Sequence, residues 1–174
     1  MKKLLSFMLL FLAVMTASVL TSCGDDDNDD KTTVAGTYTG TDSLHFGMAT
    51  TSYKTGATNV QYVVTENSDN SINVTLSEET YDFSATVPFV GKIVQGSYTI
   101  KNIPYDATKK AYYLDYSNKA SANVSISGMQ LNKQYDVTLG QITVSFTGST
   151  MTLVNVHKFG SMPMALTATF VGTK

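Results

Sequence analysis

The chain has 174 residues, a formal net charge of −2, ten tyrosines, eight phenylalanines, and neither arginine nor tryptophan. A chain of this length can bury a core without covalent staples, and with Cys23 as its one cysteine it forms no intrachain disulfide. The missing arginine removes the bidentate fork that reads phosphates and base edges, so no nucleic-acid partner is expected.

The N-terminus reads as an export signal. Lys2 and Lys3 form a basic start, and Leu4 to Val19 is a nearly continuous apolar run. The run is short for a spanning helix, and acid rather than a basic stop-transfer cluster follows it. Leu20-Thr21-Ser22-Cys23 resembles the lipobox of bacterial lipoproteins. That resemblance implies a signal peptide over residues 1–22 and lipidation of Cys23. Acyl chains contribute about 0.8 kcal/mol per buried CH₂, so the expected partner is a membrane, held through a lipid anchor.

The next segment, Gly24-Asp25-Asp26-Asp27-Asn28-Asp29-Asp30, is a solvated spacer by composition. Asp25, Asp26 and Asp27 directly after the cysteine also resemble the surface-export signal of Bacteroidetes lipoproteins. This implies display on the outer-membrane surface, with the periplasmic leaflet as the alternative. From Lys31 onward ten lysines face nine acids, so the excess acid belongs to a tether over residues 23–33.

From Val34 the composition is that of strands: Thr, Ser, Val, Tyr and Ile. Apolar residues alternate at Ile72, Val74 and Leu76, at Val124 and Ile126, at Ile142, Val144 and Phe146, and at Leu166, Ala168 and Phe170. Turn residues fall between strands at 67–70, 104–110, 127–133 and 147–150. Phe46 and Met48 are expected in a long first connection, placed to cover one barrel end or line its mouth. Eight to ten antiparallel strands follow, as a barrel or a two-sheet sandwich.

Val34-Ala35-Gly36-Thr37-Tyr38-Thr39-Gly40, Gly96-Ser97-Tyr98-Thr99-Ile100-Lys101-Asn102-Ile103 and Phe170-Val171-Gly172-Thr173-Lys174 together resemble the calycin-like, lipocalin-like β-barrel lipoproteins of Bacteroides and relatives. The resemblance implies an all-β antiparallel barrel over residues 34–174. Gly36-Thr37-Tyr38 is similar to the Gly-x-Trp start of lipocalins, with Tyr in place of Trp.

No catalytic, cofactor or metal set is expected. His45 and His157 are far apart in sequence, and a metal needs three or four converging ligands. They read as surface or strand-face histidines. No Gly-x-Ser-x-Gly elbow is present. Glu78, Glu79 and Asp82 read as a solvated turn. Tyr105, Tyr112, Tyr113 and Tyr116 could line a pocket or stack on a glycan, although cross-strand packing accounts for such residues. The apolar loop holding Phe159, Met162 and Met164 either plugs one barrel end or contacts a ligand. Asp42-Ser43-Leu44 resembles the O-glycosylation acceptor of Bacteroides exported proteins, which marks Ser43. The expected function is non-enzymatic binding of a small apolar or amphipathic ligand, since barrels of about eight strands hold one such molecule. The alternative is a structural or protein- and glycan-interacting lipoprotein with a packed core.

Overall fold

Period-two alternation places one face of each strand in the core, and the burial pattern follows it closely. In the strand Thr150–Phe159 every second side chain, from Met151 to Phe159, is buried. The computed structural model describes residues 33–174 apart from Ala49. Thr33–Lys174 forms one unit.

Twelve strands occur among the described residues. They are β1 (Gly36–Met48), β2 (Thr51–Glu66), β3 (Ile72–Leu76), β4 (Glu79–Asp82), β5 (Lys92–Gln95), β6 (Tyr98–Ile103), β7 (Tyr105–Asp106), β8 (Ala111–Asp115), β9 (Ser121–Ile126), β10 (Leu131–Thr147), β11 (Thr150–Phe159) and β12 (Leu166–Thr173). A 3₁₀ turn, Ser127–Met129, is the one helical piece described. All ladders are antiparallel, as short connections require.

The count exceeds the expected eight to ten because three passes are broken in the middle. β3 and β4 form one pass, interrupted at Ser77-Glu78. β5, β6 and β7 form the next, interrupted at Gly96-Ser97 and Pro104. β8 and β9 form a third, interrupted at 116–120. Counted by passes, the chain goes up and down eight times. Each pass pairs with the next, and β12 returns to pair with β1. The antiparallel sheet therefore curls back on itself. Register shifts at Gly40/Thr41 in β1 and between Val137 and Leu139 in β10 bend the long strands as a small barrel demands. β1 runs to Met48, so Phe46 and Met48 belong to a strand and the expected long first connection does not exist.

Tyr38, Tyr62, Tyr81, Phe83 and Phe170 are fully buried and belong to the core. Tyr62 stacks on Phe170 with centroids 4.4 Å apart.

Candidate functional site

One end of the barrel is open. There the end of β1, the β4–β5 loop, the 3₁₀ turn, the start of β10 and the β11–β12 loop surround a cavity of about 330 Å³. Its wall includes Phe46, Ile93, Val124, Leu131, Phe159 and Leu166. The β11–β12 loop contributes Met162 and Met164, both half-buried. Phe89 and Met129 also line it, yet they are 54% and 50% exposed and so form its rim. Apart from Ser161 and the Tyr135 hydroxyl the lining is apolar. Such a wall can hold an apolar molecule by desolvation but offers little directional recognition.

A polar layer lies behind this cavity. Going inward along β11, the inward-facing residue after Phe159 is His157 and the next is Asn155. On β5 Gln95 follows Ile93 in the same way. The His157 ring packs edge-on against Phe159 at 5.0 Å, and its Nε2 lies 3.0 Å from Gln95 Oε1. Burial pulls the His157 pKa down to about 4, so the ring is neutral near pH 7. Gln95 Nε2 is buried and has no hydrogen-bond partner among the described residues. Tyr116 donates to Asn155 Oδ1 at 2.7 Å, and Asn155 Nδ2 donates to the Tyr98 hydroxyl at 2.9 Å. Burial raises Tyr98 and pushes Tyr116 up to about 12, so both hydroxyls keep their protons.

Asp42, Glu79, Tyr62 and Tyr81 form a second buried cluster. The Tyr62 hydroxyl lies within hydrogen-bond reach of both carboxyl groups, and the Tyr81 hydroxyl lies within reach of Glu79 and, at 3.2 Å, of Asp42 Oδ2. Burial and then the neighbouring Asp42 carboxylate push the Glu79 pKa up to about 8. Glu79 thus holds a proton near neutral pH. The same two causes keep the Tyr62 and Tyr81 hydroxyls protonated. The cluster's side chains do not line the apolar cavity. Among the described residues no group of three His, Cys, Asp or Glu side chains is placed to hold a metal.

The structure separates the residues singled out from sequence. Phe159, Met162 and Met164 converge on the cavity. The four tyrosines do not line it. Tyr105 is exposed and meets Tyr112 edge-on at 5.3 Å, Tyr113 lies under Lys109, and Tyr116 is in the core. Glu79 is buried in β4, not solvated in a turn, and His157 is buried on its strand face. Ser43 is half-buried on β1 with its hydroxyl 3.5 Å from the Thr169 carbonyl, and the adjacent Asp42 is committed to the core. Cys23, Asp25, Asp26 and Asp27 lie outside the described residues.

Sequence reasoning missed Asp42, Glu79, Gln95 and Asn155. The signal was present as phase. Asp42 falls in step with Tyr38, Leu44 and Phe46, and Asn155 with Met151, Leu153 and Phe159.

No curated protein matches the sequence. A solved chain from Bacteroides fragilis, provisionally described as an outer membrane protein, is similar in structure, with a TM-score of 0.53 and 21% sequence identity. The match covers 81% of this chain and 51% of that one, so this chain spans about half the length of its structural neighbour. At this identity the likeness shows fold alone. The sequence pattern of the calycin-like beta-barrel domain matches residues 34–173, and with the curled antiparallel sheet and its open apolar end the chain belongs to that family.

Proposed function

We propose that this protein is a lipid-anchored binding module of the outer membrane that carries one small apolar or amphipathic molecule in its barrel end. The observation that carries the reading is the cavity of about 330 Å³ with its almost wholly apolar lining. It lies at the lower edge of the roughly 300–1,000 Å³ typical of small-molecule sites. Its exposed rim at Phe89 and Met129 supports access from solvent.

Binding is tested with N-phenyl-1-naphthylamine, an uncharged apolar dye that brightens on leaving water. The purified protein should enhance its emission saturably. Met164→Trp, which fills the cavity from a half-buried loop position, should abolish the enhancement. An unsaturable signal, or one indifferent to Met164→Trp, rejects the cavity as the site.

A packed-core, interaction-only role is the second reading, favoured by the tyrosines and phenylalanines buried in the core. Absence of any saturable ligand would select it.

The anchor rests on the Leu20-Thr21-Ser22-Cys23 motif, supported by the outer-membrane description of the Bacteroides fragilis neighbour. Cells fed a tagged fatty acid should label the protein, and Cys23→Ala should remove the label. Protease added to intact cells should digest the domain if the acidic run directs it to the surface. Protection would place it on the periplasmic side.

A further inference from the structure

The charges around the cavity are unevenly placed. Among the described residues, no cation lines its inner end. The polar groups behind it are Gln95 and His157, and His157 is kept neutral by burial. An ionised headgroup pushed to that end would lose its water without gaining a counter-charge. The mouth differs. Leu131, Lys133 and Tyr135 are two residues apart on β10 and so share one side of the strand. Leu131 and Tyr135 both line the cavity. Lys133 lies between them, paired with the cavity-lining Val124, and its ammonium sits over the Tyr135 ring at 5.7 Å. Lys133 is exposed, so its charge stays in water at the edge of the cavity, beside the Tyr135 ring.

We propose that the cavity takes a single-chain anionic amphiphile tail-first, with Lys133 holding the headgroup at the mouth. This rests on the binding reading above and adds the ligand's class and direction of entry. Size agrees with it. A cavity of about 330 Å³ lies at the small end of small-molecule sites, which suits a slender single chain.

The test uses three ligands with ten-carbon chains: decanoate, decan-1-ol and decyltrimethylammonium, titrated by calorimetry or dye displacement at low salt. The expected order is decanoate, then decan-1-ol, then the cation. Exposed ion pairs contribute modestly, so Lys133→Gln should weaken decanoate about threefold and leave decan-1-ol unchanged. Lys133→Glu should move the ratio of decanoate to decyltrimethylammonium affinity by about tenfold toward the cation. Lys133 is exposed, and neither variant disturbs the core. If decan-1-ol binds but the decanoate ratio is indifferent to Lys133→Glu, the headgroup assignment falls and the cavity reading survives. If none of the three binds, both fall.

Discussion

Glu79 and Asp42 meet inside the barrel on one hydroxyl, that of Tyr62. The pair comes from β4 and β1, and the two carboxyl groups can be buried together because Glu79 carries a proton. Its folded pKa, about 8, lies above the ordinary glutamate value of 4.5. The folded state therefore binds the proton more tightly than the unfolded chain. The stabilisation is complete below pH 4.5 and is lost as pH rises toward 8. Glu79→Gln imitates the protonated form. Urea midpoints should show the parent losing on the order of 2 kcal/mol from pH 6.5 to 8, at about 1.36 kcal/mol per pH unit, while Glu79→Gln loses much less. Parallel pH profiles would contradict this.

Tyr116→Phe should destabilise the fold by about 1–3 kcal/mol. It removes the donor to Asn155 Oδ1 and leaves a buried acceptor unmatched. Asn155→Leu should cost a similar amount, since it removes the amide that joins the Tyr98 and Tyr116 hydroxyls and leaves them only their long 3.4 Å contact with each other. The double variant should cost less than the two singles added together, because they break one network. Strict additivity in chemical denaturation would show the hydrogen bonds to be independent.

The curled sheet was legible from the strand alternation and the short turns, which leave no room for crossover helices. The polar interior was not, although its residues keep the alternation. Asp42 stands in phase with Tyr38 and Phe46, but a carboxylate within Asp42-Ser43-Leu44 reads as surface chemistry unless a partner is visible. That partner, Glu79, lies on another strand, and register across a barrel is not written in local sequence. The cavity was legible in part. The apolar loop announced Met162 and Met164, whereas Phe89, Leu131 and Val124 reach the site only through the folding of separate passes.

Gly140→Ala should destabilise by about 1–3 kcal/mol through overpacking. Gly140 is buried on β10, and a β-carbon there would come within 2.7 Å of the Tyr116 ring. That ring is also fixed from behind, because the Tyr116 amide donates to the Gly140 carbonyl at 2.7 Å. Tyr116→Phe keeps the ring and should not relieve the clash. Tyr116→Ala in the Gly140→Ala background should recover part of the packing penalty relative to additivity. Thermal melts of the four proteins measure this, and a Gly140→Ala melting temperature equal to the parent's would refute it.

His157 acts on stability in the sense opposite to Glu79. Burial lowers its folded pKa to about 4 from 6.5, so the unfolded chain binds the proton more tightly. Its contribution is complete above pH 6.5 and is lost as pH falls through about 4. Between pH 4.5 and 6.5 the two groups oppose each other, at about 1.36 kcal/mol per unit each, and the parent's stability should change little from this pair. Single variants should expose the hidden slopes. Glu79→Gln should lose stability steadily on acidification across this window, with only His157 acting. His157→Gln, which keeps a donor toward Gln95, should gain stability over the same window, with only Glu79 acting. Reading each variant as a difference from the parent removes the exposed carboxylates common to all. Differences of the same sign for both variants would mean that the two buried groups do not titrate as their surroundings dictate.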